Sequence, residues 1–446
     1  MLYELVPFRS FEQDEVYSCF TSILESFGSF DDADRADSAE WFSNSAAQLA
    51  CYAERAGIAG NVWTAWLAKL FAEAENPFSL AHERRDASGG TMDGLAMQDM
   101  EQLYFYLKYD YAKLEKRMNV NMLRRFGKDF KPSACGAPSL ERTAGAVIAE
   151  LAASMEKAAS PAELYKAVTD FYHAHGAGKF ALYNGFRWDD KAREIVPAAP
   201  LEDITFDKLF GYEEQKRALI DNTVAFLEGR PANNVLLYGE GGTGKSSSIK
   251  ALLNEYAPRG LRMIELYKHQ MADFEAVLDA VKWRNYKFVI FMDDLSFEQF
   301  EVEYKFLKAF IEGGLEKRPD NVLIYATSNR RHLMKETWSD RDDKSDDMHE
   351  SETMQEKMSL VDRFGLMIRY FSPEQEQYLD IARRLAAQYG IDAQSEEFEK
   401  GAIRWELKHG GFSGRSARQY VEHLAGLAGS NTKNLRTPPH GGVFYL

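Results

Sequence analysis

Residues 234–246 are the feature that most constrains the fold of this chain. They begin as a short apolar run of strand length and end in a glycine-rich loop reading G-x-x-x-x-G-K-S, the pattern of a phosphate-binding loop. Glycines let the backbone adopt conformations in which several N–H groups point at one anion. The pattern therefore predicts a phosphate site formed by Gly239, Glu240, Gly241, Gly242, Thr243, Gly244, Lys245, Ser246 and Ser247.

The last two residues of the motif carry distinct chemistry. Lys245 can reach the β- and γ-phosphates of a nucleotide, and the Ser246 hydroxyl can ligate Mg²⁺. Residues 247–256 follow with helix-compatible spacing, which places a helix N-terminus and its positive dipole end against the phosphates. A strand before the loop and a helix after it predict a nucleotide site.

A second signal is the acidic pair that follows the apolar strand 287–292. In P-loop enzymes an acidic residue at the end of such a strand holds Mg²⁺ opposite the loop hydroxyl. Asp293 is therefore the candidate metal residue alongside Ser246, and Asp294 is the candidate to polarise or deprotonate an attacking water. Another buried strand, 321–328, ends at Asn329, which is placed to orient that water by hydrogen bonding.

Composition narrows the class of protein. The 446 residues allow two or three domains. A net charge of −15 disfavours broad, non-specific binding to nucleic acid or anionic membrane. The basic stretch 113–131 could still form a local patch that binds phosphates or an acidic partner. The three cysteines, Cys19, Cys51 and Cys135, form no C-x-x-C pair, so neither a disulfide framework nor a zinc site is indicated and a cytoplasmic location is expected. No apolar run approaches the length of a membrane span.

The chain divides into four expected regions. Residues 1–200 read as a mainly helical domain, with a helix starting at Ser160-Pro161 and stopping near Gly176, and an aromatic strand-like run over 180–188. Residues 201–371 read as an α/β core and 372–430 as a helical region. Residues 431–446 form an irregular tail, and the acidic stretch 331–357 reads as a loop or insertion.

From about Ile204 to Leu427 the chain resembles the AAA+ ATPases. The resemblance rests on a set of motifs: an adenine-side segment at Phe210 and Gly211, the P-loop as Walker A, the acidic pair as Walker B, Asn329 as sensor 1, an arginine-finger box over 359–365, and a lid arginine. It implies ATP and Mg²⁺ as cofactors, a parallel sheet flanked by helices, and a C-terminal helical lid over 372–430. The Gly-rich loop followed by Lys-Ser-Ser, together with the segment 293–297, also resembles a bacterial AAA+ family labelled only as a domain of unknown function.

The resemblance assigns roles to arginines as well. Arg363 would be the finger, supplied by a neighbouring subunit, so a homo-oligomeric ring or filament is expected. Arg415 stands at the sensor-2 position, and Arg418 on the same helix is an alternative. The predicted catalytic set is Lys245, Asp294, Asn329, Arg363 and Arg415.

Several functions remain open at this point. The first is an ATPase that couples turnover to the remodelling of a protein client bound by residues 1–200. The second is a nucleic-acid factor of the replication-initiator or helicase-loader type, which the Asp-Asp pair and the basic stretch favour and the net charge disfavours. The third is a slowly hydrolysing scaffold that holds ATP. A P-loop kinase fits less well, because phosphoryl transfer to a substrate needs no subunit-borne arginine.

Overall fold

The computed structural model describes residues 4–25, 32–84, 89–109, 130–133, 140–198, 202–295, 319–329 and 364–430. The acidic stretch 331–357, most of the basic stretch 113–131 and the tail 431–446 lie outside these ranges. Within the ranges, none of the helices combines the length and the apolar character that a membrane crossing requires. The chain separates into two compact units, one of Met1–Asn184 with Val196–Pro200 and one of Gly185–Ile195 with Leu201–Leu446.

The first unit is helical. After a 3₁₀ turn at Arg9–Gln13, its helices are α1 Glu15–Glu25, α2 Asp32–Ala56, α3 Val62–Glu73, α4 Pro77–Glu83, α5 Thr91–Lys108, α6 Leu140–Lys157, α7 Pro161–His175 and α8 Lys179–Leu182. Aromatic rings form part of its core, with Phe8 and Phe11 meeting Phe71 edge to face at centroid distances of 5.0 and 5.1 Å. The buried Asp99 carboxylate accepts hydrogen bonds from the backbone N–H groups of Val6 and Phe8, which ties the start of the chain to α5.

The ends of α7 follow the predicted signals. The Ser160 hydroxyl accepts a hydrogen bond from the Glu163 N–H, and Gly176 ends the helix with φ of 80°. The aromatic run that follows was predicted as strand throughout, and that is wrong for its first residues. Residues 179–182 form α8, and strand geometry begins only at Gly185. Phe180 and Leu182 are buried in this short helix, so tertiary packing overrides their strand propensity.

The described residues form a seven-stranded sheet, which belongs to the second unit except for Val196 and Pro197 at one edge. Its strands are β1 Gly185–Asp189, β2 Glu194–Pro197, β3 Val235–Gly239, β4 Leu261–Glu265, β5 Lys287–Met292, β6 Val322–Ser328 and β7 Leu366–Tyr370. Their order across the sheet is β2-β1-β4-β5-β6-β3-β7, and the pairs from β1 to β7 are parallel. Every residue of β6 is buried, as expected for a parallel strand covered on both faces.

The helices of this unit are α9 Glu213–Leu227, α10 Lys245–Tyr256, α11 Phe274–Val281, α12 Gln375–Gln388, α13 Glu396–His409 and α14 Gly414–Ser430. α11 begins only at Phe274, because Lys268–Asp273 forms a 3₁₀ turn first. The buried Gln270 amide fixes that turn through hydrogen bonds to Asp190 and the Trp188 carbonyl.

The last three helices form a small cluster with its own core. Tyr378 of α12, Phe398 of α13 and Tyr420 of α14 are buried in it. The Tyr420 hydroxyl donates to the Phe398 carbonyl at 2.9 Å, and the Tyr378 hydroxyl donates to the Ala402 carbonyl at 3.2 Å. Together with the parallel sheet and the helical first unit, this lid confirms the predicted AAA+ α/β fold class.

Candidate nucleotide-binding site

The glycine-rich loop joins β3 to α10 and depends on its glycines. Gly239, Gly242 and Gly244 have φ values of 126°, 73° and 92°, in the region that side chains disfavour. A Cβ atom on Gly239 would lie 2.0 Å from the Tyr370 carbonyl oxygen of β7. The Glu240 N–H donates to that same oxygen at 3.1 Å, so the loop lies directly against the neighbouring strand.

Lys245 begins α10 and is held inside the loop. Its side chain is buried, and its Nζ donates to the carbonyl oxygens of Gly239 at 3.1 Å and Glu240 at 2.6 Å. Burial lowers the pKa of this amine to about 8, against the opposing effect of Asp293 and Asp294. The ammonium is therefore poised to exchange backbone carbonyls for the more strongly charged oxygens of a phosphate.

We expect nucleotide binding at pH 8 to take up a fraction of a proton, because the phosphates stabilise the ammonium form and raise the pKa of Lys245 above about 8. Affinity should accordingly fall as pH rises through this value. Calorimetric titration of ATP in two buffers of different ionisation enthalpy measures the uptake. Lys245→Arg is the control, since a guanidinium stays protonated and should show none. Equal uptake by both proteins would contradict the assignment.

The two acidic residues after β5 have different partners. The Ser246 hydroxyl donates to Asp293 Oδ1 at 2.6 Å, and the Asn329 amide donates to Asp294 Oδ1 at 2.7 Å. The structure therefore brings together the two residues predicted to hold Mg²⁺, and it brings together the predicted water base and the residue predicted to orient that water. Asp294 adopts φ of 53°, a left-handed conformation that Asp tolerates better than Glu.

The oxygen atoms at this place fit Mg²⁺. A hydroxyl and a carboxylate are hard oxygen ligands, and Mg²⁺ is usually bound by one or two carboxylates together with water and substrate phosphates. In the part of the chain that the structure describes, no group of three or more His, Cys, Asp or Glu side chains could hold a metal ion. The candidate metal residues are therefore suited to an ion that arrives with a nucleotide.

A cavity of about 430 Å³ contains all of these groups. That volume is within the range of small-molecule sites. Phe210 and Gly211 line it, as predicted for the adenine side, and the lid contributes Ile381 and Leu385 from α12. Sequence reasoning missed the two lid residues, since only the folding of α12 over the core brings them to the cavity. The lining of the cavity thus combines apolar side chains with the polar groups of the loop and of the acidic pair.

The lid also contacts the loop itself. The Arg415 N–H, in the first turn of α14, donates to the Gly242 carbonyl at 3.1 Å. A Cβ atom on Gly242 would lie 3.0 Å from the Arg415 Cβ and 3.2 Å from the Ser413 hydroxyl oxygen. Both candidates for the lid arginine, Arg415 and Arg418, line the cavity. Arg363 lies outside the described residues, and its role as a finger stays a prediction.

Thr327 is a site residue that the sequence analysis did not single out. Its hydroxyl donates to Asp293 Oδ1 at 2.6 Å and accepts the Asp294 N–H at 2.9 Å. It is 2% exposed and lies near the carboxyl end of β6, two positions before Asn329. The adjacent hydroxyl residues Thr327 and Ser328 at the end of a buried, largely apolar strand were the available signal.

Comparison with solved structures gives weak likenesses. A RuvB Holliday junction branch migration motor from Thermotoga maritima is 14% identical over 52% of this chain and 67% of that chain, with a TM-score of 0.37. A replication initiator DnaA bound to AMPPCP and single-stranded DNA is 18% identical over 52% and 68%, with a TM-score of 0.34. Comparison with curated proteins gives no match. The fold assignment accordingly rests on the strand order and the lid.

One protein family matches most of the second unit. Its model covers residues 181–428, more than half of the chain, and is described as "Protein of unknown function (DUF815)". The matched residues contain the P-loop, the acidic pair, Asn329 and the lid arginines. The chain belongs to this family, and the predicted membership of an AAA+ family labelled only as a domain of unknown function is confirmed.

Proposed function

We propose that the protein binds ATP with Mg²⁺, hydrolyses it, and uses the turnover to remodel or switch a macromolecular partner. The observation that carries this proposal is the convergence of Lys245, Ser246, Asp293, Asp294 and Asn329 on one cavity of nucleotide size. They come from three parallel strands whose carboxyl ends share one edge of the sheet, the usual place for ligands in such folds.

The residues divide the hydrolysis between them. Lys245 neutralises phosphate charge, and Mg²⁺ bound near Ser246 and Asp293 would supply further charge for the leaving and transferred phosphate oxygens. Asp294 takes a proton from the attacking water. At the same time the water oxygen forms a bond to the γ-phosphorus, and the bond between the γ-phosphorus and the β–γ bridging oxygen breaks. Asn329 holds the Asp294 carboxylate in place during this step. Arg415 or Arg418 stabilises the developing charge from the lid side.

The proposal also gives each region of the chain a role and names the kind of partner. We assign residues 1–200 to client binding, 201–371 to the nucleotide core, 372–430 to the lid and 431–446 to a tail. Arg363, acting from a neighbouring copy, would make the active form a homo-oligomer. A protein client is preferred to nucleic acid because the net charge is −15. Cytoplasmic location remains the expectation from the cysteine content.

Asp293→Asn tests the proposal most directly. The substitution keeps the shape of the side chain but removes the charge that Mg²⁺ requires, so hydrolysis should fall by about 10²-fold or more. Binding of ATP in EDTA should stay within about twofold of the parent, because the metal takes no part in it. Steady-state phosphate release and calorimetry measure the two quantities. Asp279→Asn, an exposed carboxylate on α11, is the control and should change neither.

Hydrolysis of Mg-ATP by Asp293→Asn at the parental rate would remove Asp293 from the metal site. Absence of any ATP binding or hydrolysis by the parent protein, tested as the full chain across a range of concentrations, would contradict the proposed function itself.

A further inference from the structure

One buried hydroxyl contacts both acidic residues of the site. Thr327 Oγ1 donates its single hydrogen to Asp293 Oδ1 at 2.6 Å and accepts the Asp294 N–H at 2.9 Å. The Thr327 carbonyl oxygen accepts a third hydrogen bond, from the Leu295 N–H at 2.7 Å. The turn that carries the acidic pair is thus attached to one residue at three consecutive positions.

The strand order explains why this residue can serve both sides of the site. β6 lies between β5, which leads to the acidic pair, and β3, which leads to the P-loop. Thr327 pairs with Leu237 of β3, two residues before the glycine-rich loop begins. A side chain near the end of β6 is therefore the nearest support for a carboxylate that must face the loop hydroxyl.

Burial fixes the position of this support. Thr327 is 2% exposed, so packing within the sheet holds its hydroxyl in place, whereas the side chains of Asp293 and Asp294 are exposed. Asp294 is also held at φ of 53°, a conformation that persists only where surrounding contacts impose it. The hydrogen bond from its N–H to Thr327 is one such contact.

The same geometry separates the roles of two hydroxyls. Ser246 and Thr327 both donate to Asp293 Oδ1, each at 2.6 Å. Ser246 begins α10 and faces the phosphate end of the cavity, so it can exchange this bond for a metal ion. Thr327 has a second bond to the backbone and stays in place when Ser246 does so.

We propose that Thr327 is a positioning residue of the ATPase site, whose hydroxyl orients Asp293 for Mg²⁺ and holds the turn that presents Asp294 to Asn329. The inference rests on the proposed function, because it assigns Thr327 a part in metal-dependent ATP chemistry. It predicts that the hydroxyl affects the Mg²⁺ response of the protein while leaving metal-free nucleotide binding intact.

Thr327→Val and Thr327→Ser test the hydroxyl. Valine keeps the shape and loses both hydrogen bonds, so hydrolysis should fall on the order of 10- to 100-fold and the Mg²⁺ concentration for half-maximal rate should rise about tenfold. Serine keeps the hydroxyl and should restore hydrolysis to within about threefold of the parent. Steady-state phosphate release across a magnesium titration measures all three proteins.

A second readout does not depend on hydrolysis. Calorimetry with the non-hydrolysable analogue AMP-PNP, in EDTA and in Mg²⁺, gives the factor by which the metal strengthens binding. In EDTA all variants should match the parent within about twofold. In Mg²⁺ the valine protein should lose most of the gain and the serine protein should keep it. If the parent hydrolyses no ATP, the proposed hydrolysis fails and this gain still decides the role of Thr327.

Thr223→Val is the matched control. Thr223 is also fully buried, and its hydroxyl is bonded to the Leu219 carbonyl and the Tyr325 hydroxyl, each at 2.8 Å, away from the acidic pair. It should keep the parental Mg²⁺ response. If Thr327→Val does not fold by circular dichroism, Thr327→Ala replaces it with the same expectations. A parental Mg²⁺ response in the hydroxyl-less variant, or equal loss in the serine variant, would overturn the inference.

Discussion

Asp294→Asn is expected to lower ATP hydrolysis by about 10²- to 10⁴-fold, the range for loss of a general base. The change should leave the backbone intact, because Asn tolerates the left-handed conformation that Asp294 adopts at φ of 53°. The Asn oxygen can also still accept the hydrogen bond that Asn329 donates at 2.7 Å. What is lost is the ability to take a proton from water.

Phosphate release under single-turnover conditions measures this loss, and calorimetry at pH 7 shows whether binding survives. Asp294→Glu is the informative control. It keeps the charge but lengthens the side chain and disfavours the left-handed backbone, so we expect an intermediate loss of about tenfold. Parental activity in the Asn variant would assign the proton to another group. A Glu variant faster than the parent would mean that the turn imposes no constraint.

Arg363→Ala is expected to bind ATP almost normally and to lose about 10³-fold or more in hydrolysis, if the residue is the finger that its motif predicts. A guanidinium brought to the transferred phosphoryl group stabilises charge that appears only in the transition state, so binding of the ground state is spared. Because a neighbouring subunit is expected to supply it, the parental rate per subunit should rise with protein concentration.

Mixing two variants distinguishes the loss of a finger from a general loss of folding or stability. Arg363→Ala has a complete P-loop, and Lys245→Ala has a complete finger, so mixed oligomers should recover part of the activity that each lacks alone. Phosphate release is measured for each protein and for the mixture, at concentrations where light scattering detects oligomers. Arg363→Lys is the control for charge, and it should recover little because a lysine lacks the planar fork of arginine. Full activity in a monomeric Arg363→Ala protein would remove both the finger and the oligomer.

Local motifs in the sequence identify residues that the structure places around one cavity. The G-x-x-x-x-G-K-S spacing and the acidic pair after an apolar strand each describe a strand followed by a chemically defined turn. Such units fold by short-range rules, so the sequence alone points to Ser246, Asp293, Asp294 and Asn329. The parallel sheet followed from the same apolar runs.

The site residues that the sequence does not indicate are brought to the cavity by contacts between distant parts of the chain. Thr327 is 34 residues from Asp293 along the chain, and its importance follows from β6 lying between β5 and β3. The sequence pattern does not reveal the order of the strands, because the central strands are buried on both faces and their apolar sequences are similar. Ile381 and Leu385 likewise reach the cavity only through the fold of the lid. At Phe180 the local sequence is misleading: its aromatic side chain favours a strand, but tertiary packing places it in the short helix α8.

The bond between the Arg415 N–H and the Gly242 carbonyl has a kinetic consequence. If the protein cycles between ATP and ADP as proposed, a lid that opened to release nucleotide would have to break this hydrogen bond, so the rate of nucleotide exchange would depend on its strength. Changes at position 242 would then act on residence time more than on the chemical step. A bulkier residue there, pressing on Ser413 and Arg415, would yield a protein that exchanges nucleotide faster than it turns it over. The timing of the ATP cycle is in that case set at the loop–lid junction, apart from the residues that carry out the chemistry.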